Sequence, residues 1–499
     1  MEQFPEAVYT AAQVRELDRY AIESLGIPGY TLMSRAGAAA FRVLRDAWPR
    51  ARKIVVVCGP GNNGGDGYVV ARLARAAGLD VSAVSVPDPQ RLAGDARRAY
   101  DDFIAAGGSV ASWHESVLDG ADVVVDALFG TGLSRPLEGA VAAIVTAINS
   151  NGVPVLALDI PSGLHSDTGV VLGAAIRAAR TVTFIGLKLG FYLGAGPDYV
   201  GRLAFDALDV PCDALAHLPV AARRISEAEI PRVLPRRPRT AHKGLNGDVV
   251  IVGGGIGMAG AARLAGEAAL RSGAGRVFVA TRPENVAAIV GARPELMCHG
   301  VRTAEELARL LARADVLAVG PGLGQDEWSR AMLEAVLSSD RPTVIDADGL
   351  NLLAQRGVDR GPRGRWVLTP HPAEAGRLLG ITTAQVQANR LAAAQMLASR
   401  YASCVVLKGA GSIVAAPDAL PALCDRGNPG MASPGMGDVL TGVVAAVMAQ
   451  AHDLVGAVRV AVLAHAMAGD LAARRGERGL IASDLFEHLP TCLNPIPQA

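Results

Sequence analysis

The stretch MASPGMGDVLTG, residues 431 to 442, combines an anion cradle with a base. Gly435 and Gly437 keep Cβ atoms away from an incoming anion, and the apolar run 439 to 448 predicts a helix starting beside them. Backbone N–H groups at that start would point at the anion, with the positive end of the helix dipole behind them. Asp438 falls in the first turn, where a carboxylate facing a phosphoryl group can take a proton from an attacking hydroxyl. The same spacing also reads as a glycine turn followed by an aspartate that merely caps a core helix.

The first half holds three more stretches of this kind. NNGGDG, residues 62 to 67, follows the apolar run KIVVVC and sets the side-chain oxygens of Asn62, Asn63 and Asp66 beside backbone donors. That set suits a phosphate-bearing ligand or a cation. Gly59, Gly61 and Gly64 formally spell GxGxxG, but no acidic residue ends the next strand, which argues against a dinucleotide redox site. Further on, Asp126 ends a second apolar run ahead of the glycine turn 130 to 136, which carries Arg135. Asp159 ends a third, with Ser162 just past a proline. Carboxylates at such ends can bind a cation or move protons; each alone can also be a turn or cap residue. Lys188 could stabilise negative charge or carry a second proton, or be a surface lysine at a strand end.

In the second half Gly255, Gly257 and Gly260 repeat GxGxxG, here between a predicted strand and helix, yet the following strand ends in Ala280 and Thr281 where a ribose-binding acid is expected. Later strand ends bring Gly322, Asp346, Asp348, Asn351, His371, Glu374 and the turn KGAGS, residues 408 to 412. His371 between two prolines is held extended, which leaves it a capping role and excludes a core one. Lys408 with Gly409 and Gly411 resembles a nucleotide-binding turn without the GK[ST] order of a P-loop.

The elements that must position these residues alternate strand, glycine turn and helix, the pattern of parallel α/β sheets whose ligands lie at the strands' carboxyl ends. With 499 residues, two domains are expected, and the Pro- and Arg-rich segment 211 to 240 marks the boundary near residue 220. Two amphipathic segments, 10 to 26 and 31 to 48, read as surface helices before the first strand. Lys plus Arg and Asp plus Glu both number 48, a balance that supports neither nucleic acid nor an anionic membrane as partner. The start has no secretory pattern, no apolar run of about eighteen residues is free of charge or glycine, and six scattered cysteines suit reduced thiols. The expectation is a cytoplasmic α/β protein.

NNGGDG, FGTGLSRP (129 to 136) and LDIPSGLHSDTG (158 to 169), in that order, resemble the epimerase domain of the bifunctional NAD(P)H-hydrate repair enzymes. GPGLG, DADGLN, TPHPAEAGRLLG, LKGAGS and GMGDVLTG resemble the dehydratase domain of the same family, which is ribokinase-like. The resemblance implies a Rossmann-like three-layer αβα sandwich over residues 1–217, a linker at 218–224 and a ribokinase-like α/β domain over 225–499. It implies epimerisation of R- and S-NAD(P)HX, then nucleotide-dependent dehydration of the S form to NAD(P)H. By the same resemblance K+ falls to Asn63, Asp126 and Ser162. The hydrated nucleotide falls to Asn62, Asn63, Gly64, Gly65, Asp66, Gly130, Thr131, Gly132, Leu133, Ser134, Arg135, Pro136 and Asp159 in the first domain, and to Ala261, Gly322, His371 and Asp438 in the second. Lys408, Gly409, Ala410, Gly411, Ser412 and Gly437 fall to the adenine nucleotide, with Mg2+ and with ADP as phosphoryl donor. Asp159 and Asp438 are the expected catalytic carboxylates, and a homo-oligomer is expected. The alternative is a ribokinase-type small-molecule kinase with an accessory N-terminal domain.

Overall fold

The computed structural model describes residues 4–86, 88–357 and 364–494; the side chain of Cys212 is also outside the description. The chain forms two compact units, residues 1–222 and 223–499. Segment 218 to 224 is not free chain throughout, because Arg223 and Arg224 pair with Ala422 and Leu423 in the second unit.

In the first unit seven strands form one parallel sheet in the order Val110–Ala111, Asp80–Ser85, Lys53–Cys58, Val123–Ala127, Val155–Leu158, Arg180–Phe184, Arg202–Asp206. The continuous apolar run KIVVVC makes sense on a sheet covered on both faces. Ile54 and Val56 enter one core with the helices Ala11–Glu23, Gly29–Ala47 and Asn62–Ala76, while Val55 and Val57 enter another under the helix Gly139–Asn151. Strand order reverses between Lys53–Cys58 and Val123–Ala127, so a crevice opens there at the carboxyl edge.

The second unit repeats the plan. Its parallel strands run Met297–Gly300, Arg276–Thr281, Asp248–Val252, Val316–Val319, Thr343–Ile345, Trp366–Leu368, Cys404–Leu407, and Ser412–Ala415 and Ala422–Cys424 continue antiparallel. The helix Met436–Gln450 is buried over most of its length against Ala259–Arg271. Glycine at 442 permits that approach, because a Cβ there would collide with the Ala265 carbonyl oxygen. The stretch Leu454–Arg475 is apolar enough to cross a membrane by composition, yet 67% of its window is buried inside the protein, and Arg459 and Asp470 interrupt it. It is a core helix whose apolar character matches burial on several sides.

Candidate active sites

In the first unit a cavity of about 520 Å3 opens at the switch point. NNGGDG was expected as a loop. It instead begins the helix Asn62–Ala76, so the N–H groups ahead of Gly65, which itself donates to the Gly61 carbonyl at 3.2 Å, have no helical acceptor. Asn62, Asn63, Asp66 and residues 130 to 135 line the cavity with Asp159. Gly64 and Gly65 do not; they let the helix pack, Gly64 on the Gly59 carbonyl and Gly65 with its Cβ position 2.7 Å from the Met33 sulfur. Pro136 is exposed outside the lining.

Asp159 sits at φ +65°, a left-handed conformation that aspartate tolerates better than most residues. One of its oxygens accepts from the Thr131 N–H at 3.0 Å and the other from Lys188 Nζ. Lys188 is not a surface lysine. It is fully buried, and its remaining donors reach Thr183 Oγ1 at 2.6 Å and the Phe184 carbonyl at 3.4 Å. A buried ammonium needs such a set, so Lys188 acts by holding Asp159 rather than by reaching the cavity.

Asp126 is fully buried and takes the Ser162 hydroxyl at 2.7 Å, the Ser162 N–H at 2.8 Å and the Leu128 N–H at 3.2 Å. Burial nevertheless pushes its carboxyl up to about 6, against the lowering by those bonds. Both amide atoms of Asn63 are buried without a hydrogen-bond partner among the described residues. An orphaned amide oxygen at a cavity wall, with a buried carboxylate in the same unit, fits an oxygen-liganded cation.

In the second unit Gly435 adopts φ +87° as the N-cap of Met436–Gln450, which leaves the N–H groups of 436 to 438 without helical acceptors. Asp438 lies in that turn. Burial first, then the Asp346 carboxylate, push it up to about 7 while Lys408 pulls it down. The Cβ position of Gly437 is 3.2 Å from Lys408 Nζ and 3.5 Å from Asp346 Oδ2, so a larger residue there would press on this ion pair. Lys408 reaches Asp346 at 2.6 Å, and Thr441 donates to the other oxygen of Asp346 at 2.8 Å. Burial works against the Lys408 charge, yet Asp346, Glu374 and Asp438 together hold it above its ordinary value.

His371 caps the helix Pro372–Leu379. Its Nδ1 accepts from the Ala373 N–H at 3.1 Å, and Nε2 lies 3.4 Å from Glu374, itself 3.9 Å from Lys408. Burial, then Lys408 and Arg377, lower its pKa, which favours the neutral ring. The Cβ position of Gly322 is 2.9 Å from that of Ala261, and a Cβ at Gly435 would fall 2.7 Å from Leu264 Cδ1, one turn along the same helix. The KGAGS turn is braced by Ser412 Oγ, which donates to the Gly409 carbonyl at 2.9 Å, and by buried Arg390, which donates to the Lys408 carbonyl at 3.1 Å. Asp346 and Thr441 had no assigned role in the sequence reading. Asp346 was visible as a strand-end carboxylate without a partner; Thr441 is one apolar-helix residue among many.

Two parallel α/β units, each with an acidic residue and helix amides at its sheet's carboxyl edge, define a two-domain α/β protein with two candidate active sites. Residues 249–491 match the family model described as NAD(P)H-hydrate dehydratase, and residues 29–190 match the YjeF-related protein N-terminus. The chain is 45% identical over 489 residues to the bifunctional NAD(P)H-hydrate repair enzyme of Coxiella burnetii, covering 98% of this chain and 99% of that one. With the Escherichia coli enzyme of the same name it shares 46% over 498 residues, covering 98% and 95%. A ribokinase-like superfamily protein of Enterococcus faecalis matches at 30% identity and a TM-score of 0.50, over 54% of this chain and 94% of that one. The chain belongs to the family of bifunctional NAD(P)H-hydrate repair enzymes.

Proposed function

We infer that the first unit interconverts R- and S-NAD(P)HX and that the second dehydrates the S form with ADP, releasing AMP and phosphate. The observation that carries the reading is Asp438, set in a first turn of free N–H groups and facing the part-buried Lys408–Asp346 pair. Hydroxide leaves a hydrated ring poorly. Asp438 takes the hydroxyl proton while the hydroxyl oxygen bonds to the β-phosphorus of ADP and AMP departs; the amides of 436 to 438 stabilise charge on the transferred group. The resulting phosphate ester then eliminates phosphate as the ring gives up a proton, restoring NAD(P)H. Ala261, Gly322 and His371 border the hydrated nucleotide in this reading, and residues 408 to 412 with Gly437 border the adenine nucleotide. Mg2+ bound with the nucleotide supplies charge neutralisation on its phosphates.

In the first unit the helix start at Asn62 and the turn 130 to 135 bind the substrate, with Asp159 facing the hydrated ring and fixed by Lys188 and Thr131. Asn63, Asp126 and Ser162 would hold K+, which supplies positive charge beside the anionic substrate. The protein is read as a cytoplasmic homo-oligomer. The deciding experiment gives the protein an epimer mixture of NADHX, Mg2+ and either ADP or ATP, and follows NADH absorbance. Complete conversion with ADP is expected; no NADH, with a vitamin-like alcohol phosphorylated when it is supplied in place of NADHX, would indicate a ribokinase-type kinase.

A further inference from the structure

The helix Ala11–Glu23 was expected only to cover the surface, yet Val14, Asp18 and Ile22, at i, i+4 and i+8, all line the first unit's cavity. We propose that Asp18 is the proton-carrying catalytic acid of the epimerase centre, giving its proton to the hydroxyl of the hydrated ring and recovering it. This assignment rests on the epimerase reading of that cavity.

Three observations carry it. Both oxygens of Asp159 already accept, from Lys188 and from the Thr131 N–H, so a proton placed on Asp159 would break one of those bonds. Asp18, by contrast, has no hydrogen bond or ion pair among the described residues, although it is half-buried between apolar neighbours on its helix. The helix is also built to hold it still. Thr10 closes a capping box with Gln13, Asp167 accepts from the Ala11 N–H at 2.6 Å, and Leu17 and Ala21 are buried on the other side. Asp18 lies before the residues 29–190 matched by the family model.

The electrostatics agree with the geometry. Burial pushes the Asp18 carboxyl up to about 6; Lys188 pulls it down and Asp159 adds to the rise. The other charged groups facing the cavity are Arg15 on the same helix, Asp66, Asp95 and Arg135. Burial, then Asp159 and Asp18, hold the Asp66 carboxyl well above its ordinary range.

Hydration of an enamine places the hydroxyl on the carbon next to nitrogen. Neutral Asp18 protonates that hydroxyl as the C–O bond breaks, the ring-nitrogen lone pair becomes the C=N bond, and water leaves. Water then adds to the opposite face, the C=N pair returns to nitrogen, and the surplus proton returns to Asp18. No atom or electron is gained or lost. The iminium formed between the two halves is a cation, and Asp159 is the anion fixed beside it.

The test is exchange between R and S signals of NADHX by NMR, with KCl and without ADP, measured as the increment over buffer. Asp18→Asn is expected to lose about 100-fold or more in exchange rate with KM within about twofold, and Asp18→Glu to keep a substantial part. Catalysed exchange by the native protein should fall as pH rises through about 6, while the residual rate of Asp18→Asn should not. Native-like exchange in Asp18→Asn, or a native rate flat from pH 5 to 8, would overturn the assignment and leave the epimerase reading standing. No catalysed exchange by the native protein at any pH would overturn both. Should Asp18→Asn fail to fold, the native pH profile and Asp18→Glu decide the matter.

Discussion

Asp438 is asked to be a base in a place that disfavours its charge. With its carboxyl raised to about 7 by burial and Asp346, the base form is scarce below neutrality. Dehydration kcat/KM is therefore expected to rise with pH from 6 to 8 and then level, read from NADH absorbance. Asp438→Asn should reduce turnover by at least about 100-fold while substrate binding persists. The same shift has a stability consequence of opposite sign. A folded-state value above the unfolded one contributes stability that is present in acid and is lost as pH rises through about 7. Asp438→Asn should thus melt above the native protein at pH 8, by about 2–4 °C for each 1 kcal/mol recovered, and show no such gain at pH 4. A variant that is both active and no more stable at pH 8 would remove Asp438 from the role.

At the scale of elements, the second site depends on how a hairpin, a strand end and a buried helix meet. Lys408, Asp346 and Thr441 come from one each, and Asp346 is buried while Lys408 keeps a partly exposed side chain. Lys408→Met leaves Asp346 buried without its cation, a loss expected to cost about 3–5 kcal/mol. Because Lys408 also lowers the Asp438 carboxyl, the same variant should move the dehydration pH profile to higher pH. Helix contact is equally exacting. Gly442→Ala sets a methyl group against the Ala265 carbonyl between Met436–Gln450 and Ala259–Arg271, and about 1–3 kcal/mol of stability should be lost in denaturant melts. Unchanged stability in Gly442→Ala would mean that the two helices can separate freely.

Across the whole molecule, each unit has its own core and its own candidate site, so the two activities should separate by mutation. With an epimer mixture, Asp159→Asn should produce NADH quickly from the S fraction and then slow to the uncatalysed epimerisation rate. Asp438→Asn should exchange epimers normally and make no NADH. Mixing the two variants should restore full conversion, since substrate released by one can be used by the other. A mixture that still stalls would show that the two reactions must share one chain.

The sequence by itself determined the alternation of strands and helices, because apolar runs bounded by glycine turns permit few other packings, and it placed Asp126, Asp159, Asp346 and Asp438 at strand ends or a helix start. It also brought NNGGDG and GMGD to the edge where parallel sheets bind ligands. Tertiary structure decided which of those carboxylates meet a cation. Lys408 and Asp346 are separated by 62 residues, and Asp346 and Thr441 by 95, distances over which local periodicity carries no information about contact. Lys188, open in the sequence between a charge partner and a surface lysine, became a buried partner of Asp159 for the same reason. Asp18 shows the limit most clearly: helical spacing fixed the stripe it shares with Val14 and Ile22, and only the packing of that helix turned the stripe toward the cavity.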